Sequence, residues 1–201
     1  MLTLYHSPQS RSSRIIWLLE ELSADYEIAY VDIERADGSG RQDPRNPHPD
    51  KKVPALVHDG ALITESIAII QYLGDLFPEA GLAPKIGNKD RGPYLTWLAY
   101  YAGVMEPLIV LGFLGLGERE GLMRNFRGRV EMDQRVVSAL DGKDYLLGSR
   151  FSTADLLISS IGQWAREMLP EGEVVDAYLT RCTSRPALAR ANAKDAAPAQ
   201  A

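Results

Sequence analysis

The feature that most constrains this chain is its opening corner. A short apolar run, Leu2-Thr3-Leu4-Tyr5, is followed at once by Pro8 and then by Ser10-Arg11-Ser12-Ser13-Arg14-Ile15-Ile16-Trp17-Leu18-Leu19-Glu20-Glu21-Leu22. The first run reads as a strand and the second as an amphipathic helix, with the turn at Pro8. Such a helix begins with hydroxyls and arginine. Helix N-termini carry unpaired backbone N–H groups and a partial positive charge of roughly +0.5 e. An anion, including a thiolate, is stabilised there.

The rest of the chain falls into two halves. Tyr26–Val31 reads as a second strand, and Ala55–Val57 and Ala61–Thr64 bracket His58-Asp59-Gly60, a hairpin signal. A helix follows with Ile67, Ile70, Leu73 and Phe77 at helical spacing. Glu34 to Asp50 is rich in Gly and Pro and is expected to be loop. Beyond Phe77-Pro78 the patterns are helical: about Lys89–Leu116 with a kink at Pro107, Glu118–Leu140, Ser152–Arg166, Val174–Arg181, and a last helix from Pro186. The expected architecture is α/β plus all-α, with a domain over 1–78, a linker over 79–88 and a helical domain over 89–201.

Composition narrows the function. The 201 residues hold 22 basic and 27 acidic side chains with no basic block, which argues against nucleic-acid binding. Cys182 is the only cysteine, so no internal disulfide or cysteine-rich zinc site forms. His6, His48 and His58 lack metal-ligand spacing, and no metal is expected. No signal-peptide pattern opens the chain, and the apolar stretch Leu108–Leu116 is short for a bilayer, so a cytoplasmic protein is expected.

Three further motifs each admit a structural and a functional reading. In His48-Pro49-Asp50-Lys51-Lys52-Val53-Pro54-Ala55, Pro54 opens a strand. On residues alone a trans bond is favoured, since only about 5–6% of X–Pro bonds are cis. Thr64-Glu65-Ser66 reads as a helix N-cap, or as a grip in which Glu65 holds an ammonium and Ser66 a carboxylate. Ser152 and Asp155 read as a capping box that starts a buried helix.

Together the strand-Ser-Arg-helix opening, His48-Pro49-x-x-Lys52-Val53-Pro54, Thr64-Glu65-Ser66-Ile67-Ala68 and Phe151-Ser152-x-Ala154-Asp155 resemble the glutathione transferase family, and most closely a serine-type subgroup of bacteria and fungi. The resemblance implies a thioredoxin-like N-terminal domain, an all-helical C-terminal domain and a homodimer. It implies that Ser10 donates a hydrogen bond to the glutathione sulfur, with Tyr5 as rival and Ser12 third. It implies a cis Pro54 with Val53 pairing the glutathione backbone, Glu65 and Ser66 on the γ-glutamyl end, and positive charge from Lys52 and Arg11. Glutathione would be the co-substrate and a small hydrophobic electrophile the partner, in a detoxification reaction. A glycine often stands in the family where this chain has Lys51. The alternative reading is a non-catalytic scaffold of the same fold.

The magnitudes agree with the serine reading. A thiol with pKa about 8.5 is ~3% ionised at pH 7, and lowering it by ~2 units requires about 2.7 kcal/mol. One hydrogen bond to a charged group contributes roughly 1.5–3 kcal/mol.

Overall fold

The structure, a computed structural model, describes residues 1–117 and 119–196. The chain divides into two compact units, one built from Met1–Ala80 together with the segment from Arg185, the other from Gly81–Ser184.

The first unit holds a four-stranded sheet in the order β2-β1-β3-β4, with β1 Leu2–His6, β2 Tyr26–Tyr30, β3 Ala55–His58 and β4 Ala61–Thr64. β1 and β2 are parallel, joined through helix α1 (Ser13–Glu21), and the other pairs are antiparallel. This is the thioredoxin-like arrangement. Asp59 (φ 48) and Gly60 (φ 85) make the two-residue turn between β3 and β4, the geometry that favours Asp-Gly in hairpins. The segment between β2 and β3 carries no helix or strand. Gly40 lies there at φ +73, where a Cβ would sit 2.1 Å from the Ile33 carbonyl oxygen, so no other residue fits.

Helix α2 (Ser66–Leu76) follows β4, and α9 (Pro186–Asp195) packs along α1. The sequence pattern places the last helix in the helical half; it packs instead in the first unit. Opposite charges bring it there. Arg190 Nε donates to Glu20 at 2.8 Å and Lys194 Nζ at 2.5 Å, while Arg185 grips Glu21 with two bonds of 2.6 Å. Tyr26 adds its hydroxyl to Glu20 at 2.7 Å, and the Trp17 indole N–H donates to Glu21 at 3.1 Å.

The second unit is all-helical among its described residues: α3 Arg91–Tyr100, α4 Glu106–Phe113, α5 Glu120–Phe126, α6 Arg129–Leu140, α7 Thr153–Ile161 and α8 Glu173–Thr183. A π-helical turn, Tyr101–Met105, joins α3 to α4, and Pro107 lies in the first turn of α4, where a missing N–H costs little. The apolar stretch from Leu108 is thus the end of a continuous 23-residue helix that is long and apolar enough, by length and composition, to cross a membrane. Its residues Tyr94, Leu98, Tyr101, Met105 and Ile109 are buried in the core of this unit.

The helix expected over Glu118–Leu140 is two helices. Arg127 (φ 61) breaks the path, and Glu131 accepts the Gly128 N–H at 2.9 Å to start α6; Glu118 lies outside the described residues. Helix α7 is buried along its whole length and starts with the capping box. Asp155 accepts from the Ser152 N–H (2.8 Å), the Ser152 hydroxyl (2.7 Å) and the Leu146 N–H (2.8 Å).

The α1–α9 clamp has a pH signature. Burial works against ionisation of Glu20, but hydrogen bonds from Lys194, Tyr26 and Arg190 outweigh it and hold the pKa down at about 2 from an ordinary 4.5. Because folding lowers this pKa, the stabilisation is present above 4.5 and is lost as pH falls toward about 2. Glu20→Gln is expected to lower unfolding free energy by about 1–3 kcal/mol at neutral pH. Urea denaturation measures this, and the deficit should shrink as the medium is acidified.

Candidate functional site

The sheet register collects the site. Tyr5 of β1 lies opposite Ala55 of β3, which lies opposite Thr64 of β4. Just past this row stand the exit of β1 toward α1, the entry of β3 at Val53-Pro54, and the exit of β4 at Glu65-Ser66. Neighbouring strands are about 4.8 Å apart, so segments distant in sequence come to one end of the sheet.

At the first of these, Ser10 is part-buried at the approach to α1. Its hydroxyl donates to the Ser7 carbonyl at 2.6 Å and lies 2.7 Å from the Ser12 hydroxyl. The Ser12 N–H donates to Ser10 Oγ at 3.2 Å. Ser12 is fully buried and its hydroxyl lies 2.7 Å from His6 Nδ1. Ser13 donates its hydroxyl to Asp195 from α9. Ser12 is thus closed off from solvent and Ser13 is turned to Asp195, whereas Ser10 stands just ahead of the helix with part of its surface open. Arg11 beside it is exposed. Arg35 donates to Ser7 Oγ (3.1 Å) and to the Pro8 carbonyl (2.8 Å), which holds the turn before Ser10.

Tyr5 points to the opposite face of β1 from His6 and packs on Val31, Ile33 and Val53. It keeps partial exposure and stands at the same end of the sheet as Ser10.

The Val53–Pro54 peptide is cis, as the resemblance implies and the residues alone disfavour. Strand pairing of β3 begins at Ala55, so the Val53 N–H and C=O lie outside the ladder. The loop before it is tied by Asn46, whose amide donates to the Lys52 carbonyl at 2.9 Å and whose Oδ1 accepts from the His48 N–H at 3.0 Å. Lys51 has φ 53, the left-handed conformation in which glycine is at ease. Its Nζ turns back onto the Asn46 carbonyl at 2.7 Å, while Lys52 is exposed.

Glu65 has φ 64 and ψ 121, outside the regions open to most residues. Its side chain makes no capping bond and is exposed, so the simple N-cap reading does not describe it. Strain of this kind persists where the surroundings impose it and is common at ligand clamps. Ser66 is the first residue of α2, with its N–H among the unpaired donors of the helix start.

Two groups in the corner escaped the sequence reading, His6 and Asp195. His6 was weighed only as a metal ligand, and Asp195 reaches it across 189 positions. Among the described residues no group of His, Cys, Asp and Glu is placed to hold a metal ion. Cys182 is buried, and that burial pushes its thiol up to about 12, so it is chemically quiet.

The sequence and fold have counterparts among known proteins. The family model for the glutathione S-transferase N-terminal domain matches residues 1–75. Glutathione S-transferase GstA of Escherichia coli O157:H7 is 29% identical over 191 residues, covering 91% of this chain and 93% of the relative. The crystal structure of a glutathione S-transferase from Actinobacillus pleuropneumoniae superimposes with a TM-score of 0.80 at 28% identity, covering 97% of this chain and 93% of that one. A sphingomonad glutathione S-transferase complexed with glutathione gives 0.74 at 27% identity, covering 96% and 98%. The family model thus assigns residues 1–75 to the glutathione S-transferase N-terminal domain, and over its full length the chain is similar in sequence and fold to glutathione S-transferases.

Proposed function

We propose that this chain ionises the thiol of glutathione beside Ser10 and directs the thiolate at a small hydrophobic electrophile. One observation carries the reading: a hydroxyl at the start of α1 shares one end of the sheet with an unpaired main-chain segment at Val53 and a strained Glu65 followed by Ser66. Glutathione has a matching set of groups. Its thiolate faces Ser10 and the helix start; its cysteinyl backbone pairs with Val53; its γ-glutamyl ammonium and carboxylate meet Glu65 and the Ser66 N–H and hydroxyl. Lys52 and Arg11 supply positive charge toward its remaining anionic groups.

Catalysis then has two parts. Ser10 stabilises the thiolate more than the thiol, and the site holds the thiolate ready for attack. In the helical unit Val110, Phe113, Leu114 and Trp164 are exposed, with Phe113 and Trp164 in ring contact at 6.1 Å. Such an apolar face suits a hydrophobic co-substrate. A reduced cytoplasmic setting, rich in thiol, fits the single buried cysteine. A homodimer through the α2 and Arg91–Phe113 helices is part of the same reading.

Titration with glutathione, followed by ultraviolet thiolate absorbance against pH, tests it. The bound thiol is expected to ionise about 2 units below its free value, with most of that shift lost in Ser10→Ala and retained in Tyr5→Phe. Loss only in Tyr5→Phe would move the catalytic role to Tyr5, and absence of binding would leave a scaffold. Glu65→Ala should weaken glutathione binding by about 10–100-fold, the effect of one charge-assisted hydrogen bond, measured by calorimetry. Sedimentation should give a dimer at micromolar concentration, and a monomer would remove the assembly from the reading.

A further inference from the structure

His6 ends β1 fully buried, and its two ring nitrogens face different partners. Nε2 lies 3.1 Å from the Asp195 main-chain carbonyl and 3.4 Å from its carboxylate. Both are acceptors, so Nε2 carries the proton of the neutral ring and Nδ1 is bare. Nδ1 then accepts the Ser12 hydroxyl at 2.7 Å. Ser12 Oγ in turn sits 2.7 Å from Ser10 Oγ, which sits 2.6 Å from the Ser7 carbonyl.

There are four contacts: His6 to Asp195, His6 to Ser12, Ser12 to Ser10, and Ser10 to the Ser7 carbonyl. A neutral ring and two hydroxyls supply three protons, so one close contact lacks a donor. One more proton, at Nδ1, satisfies the whole chain in a single direction. His6 then donates to Ser12, Ser12 to Ser10, and Ser10 to the Ser7 carbonyl.

We infer that glutathione's thiol proton passes along Ser10 and Ser12 to His6, which Asp195 steadies from the last helix. This rests on the reading of Ser10 proposed above. The S–H bond breaks and its electron pair stays on sulfur. Ser10 turns its hydroxyl from the Ser7 carbonyl to Ser12; its Oγ then takes the thiol proton and yields its own to Ser12, and Ser12 yields its own to Nδ1, where the new N–H bond forms. The products are a thiolate and an imidazolium, with no proton given to solvent. Ser10 then points its hydroxyl at the thiolate in place of the Ser7 carbonyl. Once sulfur has bonded carbon, His6 sheds the proton along the same path.

The surroundings suit a ring that starts neutral and charges on demand. Burial lowers the His6 pKa, against the raising effect of Asp195. The other groups facing this corner are the Tyr30 ring from β2, edge-on at 5.6 Å, and the Arg35 guanidinium anchored on Ser7 and Pro8. His6 and Asp195 are thus positioning residues, acting on sulfur only through the two hydroxyls.

The test counts protons in the wild-type protein at neutral pH. Absorbance gives the thiolate formed on glutathione binding, and calorimetry in two buffers of different ionisation enthalpy gives the protons released. The relay requires thiolate formation with well under one proton released for each thiolate. In His6→Asn each remaining thiolate should be matched by one released proton, and Asp195→Asn should move the count part of the way toward one. The thiolate midpoint should rise by about 1 unit in His6→Asn, with little change in KM for glutathione. One proton released per thiolate in the wild type would overturn the relay and leave His6 a structural tie. No thiolate on binding in the wild type would instead overturn the reading of the site itself.

Discussion

One row of the sheet, Tyr5 opposite Ala55 opposite Thr64, organises everything else in the first unit. A strand register shifted by one residue turns every side chain to the other face, so this row is tightly held by the burial of Leu2, Leu4 and Leu56. Its consequence is chemical. A helix start, an unpaired main-chain segment and a strained acidic residue, drawn from residues 10, 53 and 65, stand together because three strand ends do.

Helix α1 is held at both ends by the helix farthest from it in sequence. Its C-terminal acids, Glu20 and Glu21, are gripped by Arg185, Arg190 and Lys194, while Asp195 reaches Ser13, Gln9 and His6 at its front. The serine corner is therefore not a free loop. Its hydroxyls are ordered by a carboxylate carried on α9, and Arg35 fixes the turn before them. Stability and chemistry share this helix pair: the clamp at one end aligns the helix, and the hydrogen-bond chain at the other sets where its hydroxyls point.

Much of this was readable from residue order. The strand-to-helix corner, the Asp59-Gly60 hairpin and the Ser152–Asp155 capping box are local devices whose signals lie within a few residues. The place of α9 was not, because an ion pair between Glu20 and Arg190 leaves no periodicity and joins positions 170 apart. The break at Arg127-Gly128 was hidden by an amphipathic pattern that runs through it; a lone glycine costs a helix only about 1 kcal/mol and is often tolerated. The cis state of Pro54 needed the family likeness, since the residues alone favour trans. His6 was set aside for lacking metal-ligand spacing, when its partners were hydroxyls and a distant carboxylate.

The most direct test of the account is a crystal structure with glutathione bound. The account predicts the sulfur at hydrogen-bond distance from Ser10 Oγ, the cysteinyl backbone paired with Val53, and the γ-glutamyl end between Glu65 and Ser66. A sulfur seated on the Tyr5 hydroxyl, with Ser10 still turned to the Ser7 carbonyl, would contradict it.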